Sequence, residues 1–573
     1  MRSLRIFWAI GIWVVGAAVF GAEPPPVRIA YFTPSDCQPH PNYQERLDRV
    51  MTEVQRFYRE GMASAGYGPK TFRLERDAQG KLLLHLVRGQ HPMEHYGRNA
   101  AGLVRQEVKD ALAKQGIDMD RDTWVIFQVL LRWDGDRAVE IGPYCGGGNH
   151  RTGTAWVYDD PRLDAKLLSS KSPGGYYGGP CSIGQFNSHY IGGVAHELGH
   201  AFGLPHDCQR QADRSRGLSL MGAGNHTYAQ ELRGEGPGTF LTPACAMLLA
   251  CTRPFAGDLE GAANTPMCRL DQLDAQFLDG KLVLTGTVAA KPTAFGIAAF
   301  NDSTQIPADY DAVSWTCPVG KDGRFRVEIG ELRPGPSELR LLVCHTNGTR
   351  STFAFDYQVA EDGTPSLEVF RYRLLLDEAI RAYHRHDGAK AMALAELLSQ
   401  RFSHVPEVQR KASQLRRLLR PNPPQPLSKI SAKQGWVSLS DAEFDSAQVG
   451  WGKPLRDQVL GERPGECFLQ VGGQICEQGL YAHAPSKYQF SLNGQWKQFR
   501  TGYGVQDGHD GSVVFVIRGD GRELFRSPPV KDHRLRNLEL DVRGVHRLEL
   551  CVEDGGDGPN GDWAVWIQPE LKK

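Results

Sequence analysis

Hydrophobic residues near the start of the chain fall into two patterns, continuous runs and runs of helical spacing. Helical spacing predicts two amphipathic helices, over residues 43–63 and 99–115. The apolar face of the second helix carries Leu103, Val104, Val108 and Leu112. Short apolar runs predict strands over residues 27–32, 71–76, 82–88, 124–131 and 152–158. This order predicts a mixed sheet with two helices packed against it.

Turn-forming residues separate several of these predicted strands. Residues 77–80, Asp-Ala-Gln-Gly, predict a turn between the second and the third strand. Three consecutive glycines, Gly146, Gly147 and Gly148, predict a loop ahead of the strand over residues 152–158. We expect the first folded domain to extend over residues 27–268.

The hydrophobic pattern changes again after residue 268. Short alternating runs separated by turn residues predict a small β-sandwich over residues 270–360. Residues 364–420 return to helical spacing, and a proline-rich stretch then predicts a stiff linker over residues 421–429. Residues 430–573 carry aromatic strands and Asp-Gly turns, which predict a last β-rich domain.

The composition is that of a globular protein and argues against one class of partner. The chain has 573 residues, enough for three to four domains at about 150 residues each. It carries 66 basic and 66 acidic side chains, so its formal net charge is zero. Proteins that bind nucleic acid need a basic surplus to contact phosphates. We therefore expect no nucleic-acid partner.

The N-terminus, residues 1–22, has the pattern of a secretory signal peptide. Arg2 and Arg5 precede an apolar run over residues 6–20, and small residues follow at Gly21 and Ala22. We expect cleavage near this point and a secreted, extracytoplasmic protein; the alternative is an uncleaved membrane anchor. The sequence has no second apolar run long enough to cross a bilayer, so no transmembrane span is expected after cleavage.

One short motif carries the pattern of a metal site. His196 and His200 are four residues apart, so on a helix both imidazoles lie on one face and can reach a single Zn²⁺. Gly203 then allows the chain to leave the helix, and Pro205 prevents the helix from continuing. His206 can therefore return to the same ion as a third ligand.

Three histidine ligands leave one position of a tetrahedral zinc site open, as in catalytic sites. Glu197 projects about 100° round the helix from His196, where it would serve as general base and acid for the hydrolysis of a peptide bond. The alternatives are a structural zinc site without activity, or histidines that are simply buried and hydrogen-bonded. A structural site would not explain Glu197 at this position.

The motif from His196 to His206 resembles that of the metzincin zinc endopeptidases. Asp207 directly follows the third histidine, and this makes the motif most similar to that of the adamalysin (reprolysin) branch. The resemblance implies that His196, His200 and His206 bind zinc, with Glu197 as general base and acid. It also implies a methionine turn beneath the metal, for which Met221 is the candidate; the alternative is an ordinary core methionine.

Other residues near the motif have less specific interpretations. Asp207 is a candidate supporting residue. His189 lies two helical turns before His196, too far away for the same metal, and His226 could line the cleft. The chain has twelve cysteines, and export permits disulfides. A bridge from Cys208 to one of three cysteines would brace the loop of the third ligand; these are Cys245, Cys251 and Cys268.

The C-terminal segment resembles a second family. The runs 479–486, 499–505 and 511–521, and the ending over residues 541–566, look like an NPCBM domain across about 435–570. This resemblance implies a galactose-binding-like β-sandwich that binds carbohydrate; the alternative is a structural sandwich without ligand. The sequence assigns no sugar-contacting residue, since Trp563 and Trp566 could equally belong to the core.

Together these observations predict a multidomain protein with an α+β metzincin-like catalytic domain, a small β-sandwich, a short helical segment and a galactose-binding-like sandwich. The predicted function is that of a secreted zinc-dependent endopeptidase that cleaves a protein or glycoprotein substrate. Its C-terminal module would bind a glycan ligand and so hold the enzyme near that substrate. One alternative is an inactive glycan-binding adhesive protein with a structural zinc site, and another is a hydrolase of a non-peptide amide. One catalytic Zn²⁺ is implied; a bound Ca²⁺ stays an open alternative, since no pattern in the chain specifies its site.

Overall fold

A computed structural model describes residues 23–461 and 466–573, so the predicted signal peptide over residues 1–22 lies outside the described part. The chain forms two compact units, one ending at Val369 and the other beginning at Phe370. Among the described residues, no helix has both the length and the apolar character needed to cross a bilayer.

The first unit opens with a mixed sheet and helices. Its strands are β1 Pro26–Thr33, β2 Arg73–Leu74, β3 Leu84–Arg88, β4 Thr123–Gln128, β5 Leu131–Asp134, β6 Arg137–Glu140, β7 Cys145–Gly148, β8 Gly153–Tyr158, β9 Pro173–Tyr176, β10 Pro180–Ser182, β11 Leu218–Ser219 and β12 Thr239–Phe240. Its helices are α1 Tyr43–Ser64, α2 Ala101–Ala113, α3 Ile183–Ala201, α4 Pro243–Leu249 and α5 Arg253–Ala256. Three of these helices, α1, α2 and α3, are longer than two turns, whereas the hydrophobic spacing predicts two helices against the sheet. The additional long helix is α3, which carries the histidine motif.

The main sheet has the strand order β2-β1-β4-β8-β7, with β3 also paired to β1. All its pairs are parallel except the one between β7 and β8. The chain turns back at residues 77–80, where Gly80 donates to the Asp77 carbonyl at 2.9 Å. The sheet is therefore mixed, as the pattern predicts, and its antiparallel edge strand β7 lies against α3.

Two details of the sequence prediction are wrong. Leu103, predicted on the apolar face of α2, is 37 % exposed, whereas Val104, Val108 and Leu112 are fully buried. The buried stripe of α2 is therefore narrower than the apolar face that the sequence predicts. The glycines over residues 146–148, predicted as a loop, form strand β7, because the side-chain pattern of a glycine run gives no sign of strand pairing.

The first unit continues into two antiparallel sheets. Their strands are β13 Met267–Leu278, β14 Lys281–Lys291, β15 Ala294–Asp302, β16 Val313–Pro318, β17 Arg324–Ile329, β18 Gly335–His345 and β19 Arg350–Val359. One sheet has the order β13-β14-β17 and the other β16-β15-β18-β19. Ala298, Phe300 and Cys344 from the second sheet belong to the hydrophobic core of the preceding domain. The two parts of this unit therefore share one core.

The second unit begins within helix α6 Glu368–His384 and continues with the helices α7 Gly388–Arg401 and α8 Pro406–Leu419. Its strands are β20 Trp436–Ser438, β21 Ser446–Gln448, β22 Leu455–Arg456, β23 Leu469–Val471, β24 Gln474–Cys476, β25 Gly479–Tyr481, β26 Ser486–Ser491, β27 Gln498–Val505, β28 Val513–Gly519, β29 Arg522–Arg526, β30 Arg536–Asp541, β31 Arg547–Asp554 and β32 Ala564–Lys572. All but β23 and β24, which pair with each other, form two large antiparallel sheets around a common core, in which the rings of Phe515 and Trp566 lie 5.0 Å apart. This unit ends in a β-sandwich.

All twelve cysteines lie in the described residues, and all are free thiols there. Cys208 donates its thiol hydrogen to the Asp311 carbonyl at 3.5 Å rather than bonding to another sulfur. The bridge from Cys208 stays a prediction.

Candidate active site

Helix α3 carries the first two histidines of the motif. A capping box fixes its start, because the Ser182 hydroxyl accepts from the Gln185 N–H at 3.1 Å and the Gln185 side chain accepts from the Ser182 N–H at 3.0 Å. One face of α3 packs on β8 and β7. His196 is 3 % exposed and His200 lies one turn further on. A rigid, well-capped helix therefore presents both imidazoles in fixed positions.

The chain reverses directly after α3. Gly203 adopts φ 73°, in the left-handed region, and the Leu204 N–H donates to the Gly199 carbonyl at 3.0 Å. A Cβ at Gly203 would lie 2.8 Å from the Asn149 Cα, so the turn needs glycine for space as well as for conformation. This reversal returns His206 to the face of the helix that carries His196 and His200.

A backbone carbonyl fixes the tautomer of each of the three histidines. The Nδ1–H of His196 donates to the Leu220 carbonyl at 2.7 Å, and that of His200 to the Leu204 carbonyl at 3.0 Å. The Nδ1–H of His206 donates to the Ala308 carbonyl at 2.5 Å. A carbonyl can only accept, so each Nδ1 carries the proton and each Nε2 keeps a free lone pair.

The three Nε2 atoms converge. The Nε2 of His200 lies 3.1 Å from that of His196 and 2.9 Å from that of His206, and the three ligand atoms all lie within 4.8 Å of one another. Tetrahedral zinc with Zn–N bonds of 2.0–2.1 Å would separate its ligand atoms by about 3.3 Å. Three lone pairs facing one point, with no hydrogen between them, are the donor set that fits a zinc ion.

Burial keeps these imidazoles neutral, as metal ligands must be. It lowers the pKa of His196 to about 3 and that of His200 to about 4, and the proximity of the neighbouring histidines acts in the same direction. Burial also lowers the pKa of His206. The cluster therefore has no protons to displace on Nε2 at neutral pH.

Glu197 lies next to this cluster on α3. Burial raises the pKa of its carboxyl to about 7, against the opposing effect of a hydrogen bond from the Gly146 N–H. A desolvated carboxylate is a stronger base than an exposed one. The carboxylate is thus held by one backbone donor of β7 and keeps further lone pairs to accept a proton.

Strand β7 can approach the backbone of α3 so closely only because Gly146 and Gly148 have no side chain. A Cβ at Gly146 would lie 2.0 Å from the Glu197 carbonyl oxygen, and one at Gly148 would lie 2.4 Å from the Ala201 carbonyl oxygen. Gly153 on β8 meets the same Ala201 oxygen at 2.0 Å. Gly146 is a site residue that the sequence motifs do not predict; the run of three glycines is the available signal for a close backbone approach.

We expect Gly146→Ala to reduce activity strongly and to destabilise the first unit by about 1–3 kcal/mol, because the methyl group would overlap the Glu197 backbone. Gly147→Ala is the matched control, since a Cβ there meets nothing within 4 Å. Chemical denaturation and peptidase assays of both variants measure the effect. Equal behaviour of the two variants would contradict this account of β7.

Asp207 is fully buried and holds three elements together. One carboxylate oxygen accepts the Ser219 hydroxyl at 2.6 Å, and the other accepts the hydroxyls of Thr242 at 2.6 Å and Ser314 at 2.7 Å. Burial raises the pKa of Asp207, while these hydrogen bonds act to lower it. Asp207 thus fixes the loop of His206 to β11, to the start of α4 and to β16.

Removing the Asp207 carboxylate should be costly. Asp207→Ala would leave three buried hydroxyls without their acceptor, and we expect it to lower the free energy of unfolding by about 3 kcal/mol. Asp136→Ala, in an exposed turn, should change that free energy by less than about 0.5 kcal/mol. Denaturant titrations compare the two; a loss at Asp207 no larger than at Asp136 would refute this bracing role.

Met221 is fully buried beneath α3. A Cβ at Gly199 would lie 2.4 Å from the Met221 Sδ, so the thioether contacts the helix between the turns that carry the histidines. The preceding residue, Leu220, supplies the carbonyl that accepts from His196. The turn at Met221 therefore underlies the cluster of histidines.

His189 and His226 form a separate pair. Their Nδ1 atoms lie 3.1 Å apart, and the ring of Tyr177 stacks on His189. Burial lowers the pKa of His189 to about 3. The ligand atoms of this pair are not part of the cluster of His196, His200 and His206.

The β-sandwich also contributes residues to the site that no sequence motif predicts. The segment 303–312 joins β15 to β16, and its Ala308 carbonyl accepts from His206. The ring of Tyr310 stacks on His206 with centroids 3.9 Å apart and an angle of 26° between the rings. No spacing rule connects positions about a hundred residues apart, so only the folded chain reveals these contacts.

The C-terminal sandwich buries both tryptophans for which the sequence allows either a sugar contact or a place in the core. Trp563 is 4 % exposed and stacks on His509 at 4.0 Å, and Trp566 is fully buried. Trp451 is the large aromatic residue that this sandwich leaves exposed, at 53 %, among the described residues. Trp563 and Trp566 are therefore core residues.

Two solved structures resemble the chain over most of their own length. A crystal structure of catalytically inactive OgpA from Akkermansia muciniphila with an O-glycopeptide (glycodrosocin) substrate is 24% identical, with 60% of this chain and 96% of that chain covered and a TM-score of 0.51. Another crystal structure, of wild-type OgpA from that organism, is 25% identical, with 60% and 95% covered and a TM-score of 0.50. This likeness shows a similar fold.

Another solved structure to which the chain is similar is CBM51 from Clostridium perfringens GH95 in complex with methyl-galactose. It is 26% identical and covers 24% of this chain and 99% of that chain, with a TM-score of 0.22. No curated protein matches the chain. The family model named NPCBM/NEW2 domain matches residues 435–572, which confirms the resemblance read from the sequence. The β-sandwich that ends the chain is an NPCBM/NEW2 domain.

Proposed function

We propose that the protein is an extracytoplasmic, zinc-dependent endopeptidase of metzincin type that acts on glycoproteins. The observation that carries this proposal is the convergence of three Nε2 lone pairs, with Glu197 directly after His196 on α3. His196, His200 and His206 would hold the ion, and three protein ligands leave the fourth position for the reaction. A structural site would have a closed ligand set and no need of a desolvated carboxylate beside it.

Zinc, when bound, supplies a Lewis acid that polarises the scissile carbonyl and makes water more acidic. Glu197 accepts a proton from the attacking water and later passes it to the leaving nitrogen. The Gly146 N–H orients the carboxylate for both steps. The carbonyls of Leu220, Leu204 and Ala308 keep the imidazoles in the tautomer that a metal requires.

Two observations support a glycoprotein as the substrate. Residues 435–572 form an NPCBM/NEW2 domain, and the resemblance to this family implies carbohydrate binding. OgpA, which has a similar fold, binds an O-glycopeptide that is described as its substrate. A module that binds glycan would raise the local concentration of glycosylated substrate without contacts at the metal site.

The proposal is tested with the full-length protein, casein and an O-glycosylated mucin, with and without a chelator. We expect cleavage of the mucin, loss of cleavage in the chelator, and recovery on addition of Zn²⁺. Enzymatic removal of the O-glycans before the assay should slow cleavage. Zinc-loaded protein that cleaves neither substrate would contradict the peptidase assignment, and equal cleavage of native and deglycosylated mucin would contradict the substrate class.

A further inference from the structure

The segment 303–312, here called the bridging loop, connects the β-sandwich to the metal site. Besides the contacts of Ala308 and Tyr310 with His206, its Ala312 carbonyl accepts from the Cys208 N–H at 2.6 Å. The Cys208 thiol in turn donates to Asp311. The loop of the third histidine is therefore held along several residues by the β-sandwich that follows it in the same unit.

The bridging loop has a strained backbone. Thr304, Ala308 and Asp309 adopt φ of 50°, 62° and 60°, in the left-handed region that costs free energy for residues other than glycine. Such strain persists only where the surroundings enforce it, and it concentrates at functional sites. At Ala308 the unusual conformation accompanies the carbonyl that accepts from His206.

Ion pairs fix the strained loop. Arg340 on β18 pairs with Asp309 at 2.7 Å, and Arg333 pairs with Asp311 at 2.9 Å. The Ser303 hydroxyl donates to Asp311 within the loop. The position of Tyr310 between Asp309 and Asp311 is therefore fixed from both sides before any substrate binds.

Tyr310 is open to solvent although it packs on His206. The side chain is 45 % exposed, and the ring stacks nearly parallel to the third imidazole. His206 is one of the three proposed ligands, so a ring stacked on it lies at the metal site. Because the same ring is open to solvent, a substrate that reaches the metal can contact Tyr310.

We propose that Tyr310 is a catalytic residue whose hydroxyl donates a hydrogen bond to the oxygen of the scissile carbonyl as water adds to it. This inference rests on the proposed peptidase function. Addition of water puts negative charge on that oxygen, and a donor fixed in advance stabilises the charge more than it stabilises the uncharged substrate. Tyr310 keeps its own proton throughout, since Glu197 carries the proton from water to the leaving nitrogen.

The test compares full-length Tyr310→Phe with the parent on an O-glycosylated mucin peptide. We expect kcat to fall by about 10²–10³-fold, the usual effect of removing one donor to an oxyanion, with KM and zinc content unchanged. The phenyl ring keeps the stack on His206, so the loss belongs to the hydroxyl. Tyr43→Phe, which removes a phenol at the start of α1, is the control and should keep the kcat of the parent.

A second variant separates the hydroxyl from the ring. Tyr310→Ala removes the stack as well, and we expect its zinc affinity, measured by competition with a chelator, to fall by about 10-fold. The inference is overturned if Tyr310→Phe keeps the kcat of the parent. It is also overturned if the kcat of Tyr310→Phe falls only in proportion to a loss of bound zinc. If the zinc-loaded parent cleaves no peptide at all, the proposed function itself fails.

Discussion

Glu197→Gln is expected to lower kcat for peptide cleavage by about 10²–10⁴-fold, because an amide cannot accept the proton of the attacking water. Its size matches that of the carboxylate, so the close contact between α3 and β7 should persist. The three Nε2 atoms and the carbonyls that orient them involve no atom of the Glu197 side chain. Zinc content should therefore stay at the level of the parent.

Elemental analysis and steady-state kinetics on the same preparation check both halves of this prediction. Glu231→Gln, in an exposed segment of the same domain, is the matched control and should retain the parental kcat. A Glu197→Gln protein that keeps its zinc and cleaves as fast as the parent would show that another group is the base.

His206→Ala is expected to have the second large effect, a loss of zinc affinity of more than about 100-fold. Removing a residue that only orients a ligand costs about 10–100-fold in metal affinity, and His206 is itself in the donor set. The variant also loses the bond to Ala308 and the stack with Tyr310, so the bridging loop loses its contacts with the third histidine. Activity should fall with the zinc content.

Competition with a chromogenic chelator measures this affinity. His95→Ala is the control, since His95 is an exposed histidine of the same domain and lies outside the cluster. A His206→Ala protein that binds zinc as tightly as the His95→Ala protein would exclude His206 from the ligands.

Local patterns predict the parts of the site that are local in the chain. The spacing of His196 and His200 places them on one face of α3, and Gly203 with Pro205 accounts for the reversal that returns His206. Continuous apolar runs likewise correspond to the buried strands β1 and β4, whose central residues are fully buried.

Other parts of the site depend on contacts between distant segments. Gly146 belongs to the site because β7 approaches the backbone of α3, and a run of glycines has no periodicity that predicts a strand. Tyr310 and Ala308 come from a loop between two strands of the β-sandwich, about a hundred residues further along the chain. Their place is set by the shared core and by ion pairs such as Arg340 with Asp309, none of which leaves a pattern in the sequence.

The partial exposure of Leu103 shows that local patterns are also insufficient to predict which residues the core buries. Hydrophobic spacing marks the residues that a helix could bury, but the neighbouring elements decide how wide the buried stripe is. On α2 the stripe covers Val104, Val108 and Leu112 and leaves Leu103 partly open to solvent.

The central claim is that three histidines hold one zinc ion and leave a position for the reaction. X-ray absorption at the zinc edge of the full-length protein tests it most directly. We predict one zinc per chain, three imidazole nitrogens at about 2.0–2.1 Å and one further light atom. A spectrum with sulfur at about 2.3 Å, or a protein that retains no zinc after dialysis, would contradict it.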